Sequence, residues 1–456
     1  MPGVYHPESP TPLQLRSDFE RIRSQLGVNV EFPPEVEAEA ATATYRPDDR
    51  EDMRSIEFVT LDPPGSMDLD QAMHLERLGN GYRVRYAIAD VGAVVPPGGA
   101  IEAEAWKRGE TVYCPDTRAL LYPSSISEGA ASLLPDADRP AFLFQIDLDS
   151  EGRQIAAQVH RALVRSRHKL TYRYGHVPLL KAIGTLRRRL ADERGAVLLN
   201  TPAQSVVPDN LQPAGYRLEL EQRHPIEDWN AEISLLTGMA AAQMMIAGGL
   251  GLLRTMVGID EYRLARLRRT AQALHVPWPL DVTYPQFIGG LDPTVPAHAV
   301  LLQEAHGVMG RAGYLFFEGA PPAGSEHAGL ATLYAHTTAP LRRLCDRYVL
   351  ETLAGHGNAK DLAALPDVMD ASEARSNAVE RAVVDEMEAR LLEHRTGDVF
   401  TAVVLDHDAH GSHIAIPDPP IRARLHTPTP PPLGAEVQVR LAQADPIGRA
   451  LQFAAV

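Results

Sequence analysis

The sequence has few cysteines and no excess of positive charge. Of its 456 residues only 2 are cysteines, Cys114 and Cys345, which argues against a disulfide framework and fits a reducing cytoplasm. The net charge of −15 gives no global sign of a nucleic-acid binder, although local basic tracks are compatible with it. The first residues, MPGVYHPESP, have neither the basic nor the apolar region of a signal peptide. We therefore expect a cytoplasmic protein.

Long hydrophobic runs are also scarce, and the exception lies at residues 233–253. The stretch ISLLTGMAAAQMMIAGGLGLL has no charged residue and reaches the length of a transmembrane helix. Ser234, Thr237 and Gln243 interrupt it, and Glu232 directly precedes it. Because a helix that is apolar on all sides belongs in the core of a large domain, we predict a buried helix and no membrane span.

The remaining patterns are typical of a soluble α+β protein. Apolar residues make up 45% and charged residues 23% of the chain, whose length allows roughly two to four domains. Residues 13–27 have apolar residues at helical spacing, and Pro33 and Pro34 precede a second predicted helix. Residues 56–165 have strand patterns with turns such as Gly79-Asn80-Gly81. Residues 226–395 have mainly helical patterns.

The last segment, residues 396–456, returns to strand patterns. DVFTAVVLD, SHIAIP, IRARL, EVQVRLAQ and ALQFAA are short stretches rich in β-branched residues. They predict a five-stranded OB-type barrel, which commonly binds oligonucleotides, although a barrel used only for packing or protein contact has the same pattern. We therefore divide the chain into a helical segment (1–46), a mixed α/β domain (47–395) and a barrel (396–456).

Three aspartates lie close together in TLDPPGSMDLDQAMHLE, residues 60–76. Asp62 precedes a Pro-Pro-Gly turn that can fold the chain back toward Asp68 and Asp70. Carboxylates brought this close raise one another's pKa unless a cation neutralises them, and oxygen ligands select Mg²⁺ or Mn²⁺ over zinc. On spacing alone, a catalytic metal site, a structural cation site and a solvated loop all stay open.

Four blocks in the same order resemble the catalytic domain of the ribonuclease II (RNB) family. They are the block around the three aspartates, YRVRYAIADVGAVVPPGGAIEAEAWKRGETVYCPD, YPSSISEGAASLLPDADRPAF and YAHTTAPLRRLCDRYV. The resemblance implies an RNB-type catalytic domain with hydrolytic 3′→5′ exoribonuclease activity. Members use Mg²⁺ to release nucleoside 5′-monophosphates from single-stranded RNA, and we expect Mn²⁺ to be able to replace Mg²⁺.

The same resemblance implies roles for individual residues. Asp62, Asp68 and Asp70 match the metal-binding aspartates, and Asp70 matches the acid that the family can least spare. Gln71 stands where members usually have a fourth aspartate, so we expect it to ligate metal more weakly. The other matches are Arg342 to an arginine that stabilises charge on the scissile phosphate, Tyr172 to a tyrosine at the reacting nucleotide, Tyr113 to a base-stacking aromatic and Glu232 to a glutamate on the terminal ribose.

Basic residues lie on the strand-like stretch that leads to Tyr172. Arg165 and Arg167, with Arg161, could follow RNA phosphates, although a solvated strand edge has the same pattern. The basic runs at 186–190 and 263–269 are predicted to be exposed helix faces without a role. The family commonly carries two cold-shock barrels before the catalytic domain, whereas we expect only short helices in residues 1–46.

The resulting hypothesis is a monomeric exoribonuclease that binds single-stranded RNA, including structured RNA with a 3′ overhang. Two rival hypotheses are an RNB scaffold that lost activity with the fourth aspartate and now binds RNA, and a structural protein whose acids hold a cation.

Overall fold

Short helices precede a curled β-sheet, and a mainly helical region then leads to a small barrel. The structure is a computed structural model that describes residues 13–45, 50–197, 204–208, 216–220, 224–292, 295–305, 307–409, 411–416 and 421–456. In chain order, the elements are α1 (Leu13–Gln25), α2 (Pro34–Ala40), β1 (Glu51–Asp52), β2 (Phe58–Asp62), β3 (Gln71–Leu78), β4 (Gly81–Ala89), α3 (Ala100–Arg108), β5 (Val112–Tyr113), β6 (Arg118–Ala119), β7 (Asp138–Leu148), β8 (Gln154–Thr171), α4 (Leu180–Arg194), β9 (Gln204–Pro208), β10 (Tyr216–Leu220), α5 (Pro225–Gly248), β11 (Leu250–Met256), α6 (Glu261–Ala273), α7 (Tyr284–Gly289), α8 (Pro296–Ala305), β12 (Ala312–Glu318), α9 (Leu344–Leu353), α10 (Ala359–Leu392), β13 (Val399–Asp408), β14 (Gly411–Ile416), β15 (Ile421–His426), β16 (Glu436–Asp445) and β17 (Ala450–Ala455).

The main sheet has the strand order β1-β8-β2-β3-β4-β7, and β8 also pairs with β7. The long strand β8 therefore closes the sheet on itself, because its first part forms a hairpin with β7 and its last part runs parallel to β2. In that parallel pairing Asp62 lies opposite Thr171. The predicted turn at Gly79-Asn80-Gly81 is confirmed, since it connects β3 to β4. The carboxyl ends of β2 and β8 thus bring Asp62 and Tyr172 to the same edge.

The observed elements differ from the sequence prediction in three places. Strands β11 and β12 form an antiparallel pair inside the segment predicted to be helical, and α3 lies inside the segment predicted to be β. The apolar run at 233–253 is not one helix: α5 ends at Gly248, Gly249 adopts a φ of 72°, and the chain turns into β11. Of the helices in the described ranges, only α5 is long and apolar enough to cross a membrane, and 56% of its most apolar window is buried inside the protein.

Each of the two basic runs that were predicted to be exposed helix faces contains an arginine that is not exposed. In α4, Arg187 is buried, donates to the Gly152 carbonyl at 3.0 Å and packs against Met239 of α5. In α6, Arg266 is half-buried and bridges Glu304 of α8 and Asp406 of β13, at 2.6 Å to each. Both arginines therefore connect elements of the fold.

The C-terminal strands form a closed barrel in the order β13-β14-β15-β17-β16, which confirms the predicted OB-type barrel. Alternate residues of these strands fill its apolar core, among them Phe400, Ile414, Leu425 and Phe453. The Arg266 bridge and an ion pair of 2.9 Å between Arg422 and Glu304 hold the barrel against α6 and α8. The fold is therefore α+β, as expected.

Candidate active site

The three aspartates lie at the ends of strands on one side of the main sheet. Asp62 is the last residue of β2, and Asp70 directly precedes β3. Between them, the Ser66 N–H donates to the Pro63 carbonyl at 3.3 Å, and Gly65 adopts a φ of 80° that favours glycine. The Pro-Pro-Gly segment therefore turns the chain back, as its composition predicted.

The segment from Met67 to Asp70 is held from behind by a second part of the chain. The buried Ser132 hydroxyl donates to the Met67 carbonyl at 2.6 Å and accepts from the Leu69 N–H at 3.0 Å. The Asp70 carbonyl accepts from the Ala89 N–H of β4 at 2.9 Å. These bonds fix the backbone between Asp68 and Asp70, so that both carboxylates have defined directions.

Asp70 is the most buried of the three, with 3% of its surface exposed. Its Oδ1 accepts from the Leu341 backbone N–H at 2.7 Å, and its Oδ2 accepts from Arg342 Nε at 3.2 Å. Burial raises the pKa of Asp70 to about 8, although Arg342 and the Leu341 N–H both lower it. The two hydrogen bonds thus compensate only part of the cost of burying this carboxylate.

Asp62 is less well compensated. Its Oδ2 is buried and has no hydrogen-bond partner within the described part of the chain. Burial, followed by the nearby charge of Asp68, raises the pKa of Asp62 to about 7, while Arg342, Lys169 and the Thr60 hydroxyl act in the opposite direction. A buried carboxylate oxygen without a donor is an incomplete environment that a cation would complete.

Asp68 has its own arginine. Arg118 Nη1 lies 3.3 Å from Asp68 Oδ1, and its Nη2 contacts Glu128. Lys169 lies near Asp62, and Arg342 contacts Asp70. Each aspartate thus faces a cationic side chain from a different segment. In the described residues, the one group of three or more potential ligands whose ligand atoms all lie within 4.8 Å of each other is His336, Cys345 and Asp346. The three aspartates are therefore neighbours, but their carboxylate oxygens do not all lie within 4.8 Å of one another.

The donor set of the acid cluster, Asp62, Asp68 and Asp70, nevertheless fits a hard divalent cation. It offers carboxylate oxygens only, and one of them is buried with no donor in the part of the chain that the structure describes. The Gln71 side-chain amide donates to the Thr338 carbonyl, which places this side chain against the segment that carries Arg342. Mg²⁺ or Mn²⁺ would be held by Asp62, Asp68 and Asp70, whereas ligation by Gln71 stays a prediction.

Arg342 and Arg343 are adjacent but have different surroundings. Arg342 contacts Asp70 and retains 25% side-chain exposure. Arg343 instead forms a two-pronged ion pair with the fully buried Asp346, at 2.6 and 2.8 Å. The Thr111 N–H donates to the Arg342 carbonyl at 2.9 Å, so the segment before β5 is attached to the same loop. Arg342 is the arginine that faces the acid cluster.

Two tyrosines lie beside the acid cluster on different elements. Burial raises the pKa of Tyr113, on β5, and the charges that act on it are those of Arg342, Asp68 and Asp70, among others. Tyr172 follows β8; burial and the charge of Asp62 raise its pKa to about 12. Its hydroxyl accepts from Asn230 Nδ2 of α5 at 3.4 Å. The structure therefore brings Tyr113 and Tyr172 to the site, as the resemblance implied.

Three other predicted residues lie elsewhere. Burial raises the pKa of Glu232, and the charged groups that act on it are Arg187, Arg188, Arg194 and Asp192 of α4, so it faces α4 and not the acid cluster. Asn230 and Glu232 are two positions apart and therefore point to different sides of α5, and the contact of Glu232 with the terminal ribose stays a prediction. Arg165 pairs with Asp138 at 2.6 Å, and Arg167 donates to the Arg54 carbonyl at 2.7 Å. Both arginines serve local contacts at the sheet edge.

Sequence reasoning missed Asn230, Lys169 and Arg118. Lys169 could have been found, because it alternates with Arg165 and Arg167 along β8 and lies opposite Thr60, two residues from Asp62. Asn230 follows from the spacing of α5 once its inward face is known. Arg118 gave no local signal, since its role depends on the pairing of β5 with β6, in which Arg118 lies opposite Tyr113.

Comparison with known proteins decides the family. Residues 50–356 match the RNB domain, which is more than half of the chain, and residues 398–456 match the RNase II-type exonuclease C-terminal S1 domain. The chain belongs to the RNB family. Among curated relatives, ribonuclease R of Vibrio cholerae is 26% identical over 88% of this chain and 54% of its own length. This RNB chain thus spans about half the length of the curated relatives that it matches.

Solved structures share the RNB fold. Mycoplasma genitalium RNase R, in complex with ribose-methylated single-stranded RNA, has a TM-score of 0.83 at 18% identity, covering 96% of this chain and 78% of that one. Yeast Ssd1, described as a pseudonuclease, has a TM-score of 0.69 at 18% identity, covering 93% and 57%. Because an RNB fold occurs in both, the fold alone does not distinguish an active nuclease, and the site residues must do so.

Proposed function

We propose that this RNB protein is a divalent-metal-dependent 3′→5′ exoribonuclease that hydrolyses RNA and releases nucleoside 5′-monophosphates. The observation that carries the proposal is the contact between Asp70 and Arg342, 272 residues apart in sequence, beside Asp62, one oxygen of which has no partner among the described residues. Carboxylates that are costly to bury and lie next to an arginine are expected where a metal ion and a phosphate must meet.

The chain's own residues account for charge stabilisation and alignment. Arg342 is always cationic and partly exposed, so it can donate to a phosphate oxygen as negative charge develops there. Because its Nε is already held by Asp70, the guanidinium keeps a defined direction before RNA binds. A divalent ion on Asp62, Asp68 and Asp70 would activate water and stabilise the leaving oxygen.

Recognition of the RNA 3′ end would fall to the two tyrosines and to α5. Tyr113 offers a ring for base stacking, which tolerates any base and so suits a nuclease without sequence preference. Tyr172 stands at the reacting nucleotide, held by Asn230. Asn230 Oδ1 is buried and has no partner in the described ranges, so it can accept from a ribose hydroxyl, the role that we had expected of Glu232.

The deciding experiment incubates 5′-labelled single-stranded RNA with the protein in Mg²⁺, in Mn²⁺ and in chelator. We expect progressive shortening from the 3′ end with either metal, mononucleotide products, and no reaction in chelator. A matched DNA strand should resist, and a duplex with a 3′ overhang shows whether structured RNA is a substrate. RNA that binds but stays intact with both metals would contradict the proposal and favour the RNA-binding scaffold.

A further inference from the structure

The hairpin formed by β5 and β6 has two faces with different surroundings. Tyr113 and Arg118 lie opposite each other in the hairpin. The charges of Asp68 and Asp70 act on Tyr113, and Arg118 contacts Asp68. Val112 and Ala119 are also paired, and they are buried on the other face. The position of the hairpin therefore sets the position of a stacking ring and of the arginine on Asp68 together.

The buried face of the hairpin packs against the N-terminal helix and the long helix α10. Phe19 and Ile22 of α1 share one apolar cluster with Val112 and Ala119, and Val379, Val383 and Met387 of α10 complete that cluster. Helix α1 is itself attached to α10, since Arg21 lies 2.8 Å from Glu386. Helix α1 thus forms part of the support behind the hairpin.

The two ends of the hairpin are held by different parts of the molecule. Its base is attached to the active-site loop through the Thr111 N–H and the Arg342 carbonyl, at 2.9 Å. Its tip, where the Cys114 N–H donates to the Thr117 carbonyl, carries Asp116. Arg23 of α1 contacts Asp116 at 2.5 Å, and the two side chains are only 10% and 7% exposed. A nearly buried ion pair with one partner on each element fixes their relative position closely, because its energy depends on geometry.

We propose that Arg23 of α1 is a positioning residue of the active site: through Asp116 it holds the β5–β6 hairpin so that Tyr113 meets the base at the RNA 3′ end. The role of Tyr113 in this inference rests on the proposed function. Without the ion pair the hairpin tip is held less firmly, and the Tyr113 ring no longer has a fixed position for stacking. The N-terminal helix then contributes to substrate binding without touching RNA.

The test uses the full chain and measures binding separately from catalysis. RNA with 2-aminopurine at its 3′ end is titrated against the Asp70→Asn protein, and stacking is followed by fluorescence quenching. In that background, Asp116→Asn and Arg23→Met should each weaken binding and quenching about three- to tenfold, since stacking on one ring is weakened and not abolished. Arg21→Met is the matched control: it removes one ion pair between α1 and α10, while Asp18 of α1 still accepts from Arg390 of α10, so α1 stays attached and binding should change by less than about twofold.

A double-mutant cycle distinguishes positioning from general destabilisation. Tyr113→Ala should weaken binding by itself, and adding Asp116→Asn to it should have little further effect, because both changes remove the same stacking contact. If Asp116→Asn binds like the parent protein, or if Arg21→Met and Asp116→Asn lose the same amount, the inference is wrong. Asp116→Asn keeps the side-chain shape and serves as the decisive variant if Arg23→Met does not fold. Failure of the proposed function is seen separately, as intact RNA with the wild-type protein.

Discussion

Two clusters with buried carboxylates contact residues of the segment 338–346, and these carboxylates are satisfied to different degrees. Asp346 accepts from Arg343 through two nitrogens and from the Ala339 N–H at 2.7 Å. Asp70 accepts one bond from Arg342 and one from the Leu341 N–H, and nearby Asp62 has an oxygen without a partner among the described residues. Successive residues of one segment thus serve two clusters.

The difference separates a structural carboxylate from a reactive one. His336, Cys345 and Asp346 are close enough together to suggest a metal site by distance, yet the Arg343 guanidinium already neutralises Asp346. A divalent ion there would have to displace an arginine held by two hydrogen bonds. In the acid cluster, by contrast, burial raises the pKa values of Asp62 and Asp70, because the protein does not fully stabilise their negative charges. A bound cation would supply the missing stabilisation. We therefore infer that incomplete compensation, and not proximity alone, distinguishes the candidate functional site.

The strongest test of this comparison is Asp70→Asn. The neutral amide keeps the shape of the side chain but removes the charge that holds the metal and orients Arg342, so turnover of RNA should fall by about three orders of magnitude or more. RNA affinity, measured by filter binding or anisotropy in chelator at neutral pH, should stay similar, because burial raises the pKa of Asp70 to about 8 and the substitution then removes little charge. Near-normal turnover would show that the site depends on another carboxylate.

Asp346→Asn should mainly lower the stability of the protein, whereas Asp70→Asn mainly lowers its turnover. It leaves Arg343 buried without its anion, so we expect the free energy of unfolding to fall by about 3–5 kcal/mol. Urea unfolding followed by circular dichroism measures the change, with Asp70→Asn in chelator as the control that should not be destabilised comparably. A stability close to that of the wild type would contradict the view that the Asp346 cluster is structural.

The pH dependence of stability should separate the clusters further. In chelator, Asp62 and Asp70 keep their protons in the folded protein up to about pH 7 and pH 8, whereas in the unfolded chain they lose them near the ordinary value of 3.8. Between these values the folded state binds more protons, so the free energy of unfolding should fall as the pH rises from 5.5 to 8.

Urea unfolding at pH 5.5 and at pH 8 measures this effect. The Asp62→Asn, Asp70→Asn double variant should lose less stability over that interval than the wild type, by at least about 1.4 kcal/mol, the value of one pKa unit. Added Mg²⁺ should restore the wild type at pH 8. Equal pH dependence of the two proteins would show that these carboxylates are not held in their protonated form.

The smallest expected effect is that of Gln71→Asp, which adds a negative charge next to the acid cluster. The native protein should need about two- to fivefold more Mg²⁺ for half-maximal activity than the variant does. With Mn²⁺ the two half-activation concentrations should differ less. The shift is modest because the Gln71 amide already donates to the Thr338 carbonyl, and a carboxylate would lose that contact. A metal titration of both proteins decides the matter. Identical titrations would place Gln71 outside the metal's ligands.

Local signals predicted the elements that carry the chemistry better than their surroundings. The turn after Asp62, the two N-terminal helices and the five barrel strands follow from proline, glycine and alternation of apolar residues. The resemblance to the RNB family then identified Asp62, Asp68, Asp70, Arg342, Tyr113 and Tyr172, which the structure places together. Glu232 lies toward α4 in the structure, because a single helix position decides which side of α5 a residue faces, and its contact with the ribose stays a prediction.

What the sequence could not show depends on long-range contacts. Strands β11 and β12 are each short and apolar inside a helical region, and only their mutual pairing makes them β. Arg187 belongs to a basic run that is typical of an exposed face, yet α5 packs over it. Arg118, Lys169 and Asn230 become site residues only when the hairpin, β8 and α5 meet around the aspartates.

The separation between Asp70 and Arg342 has a consequence for the order of events in synthesis. A ribosome that has made the aspartates must still add the 272 residues that separate them from Arg342. At roughly 5–20 residues per second, this takes roughly 15–55 seconds. During that interval the nascent chain carries its acidic residues without the arginine that completes them. A site that needs both Asp70 and Arg342 therefore cannot be complete before Arg342 has been synthesised.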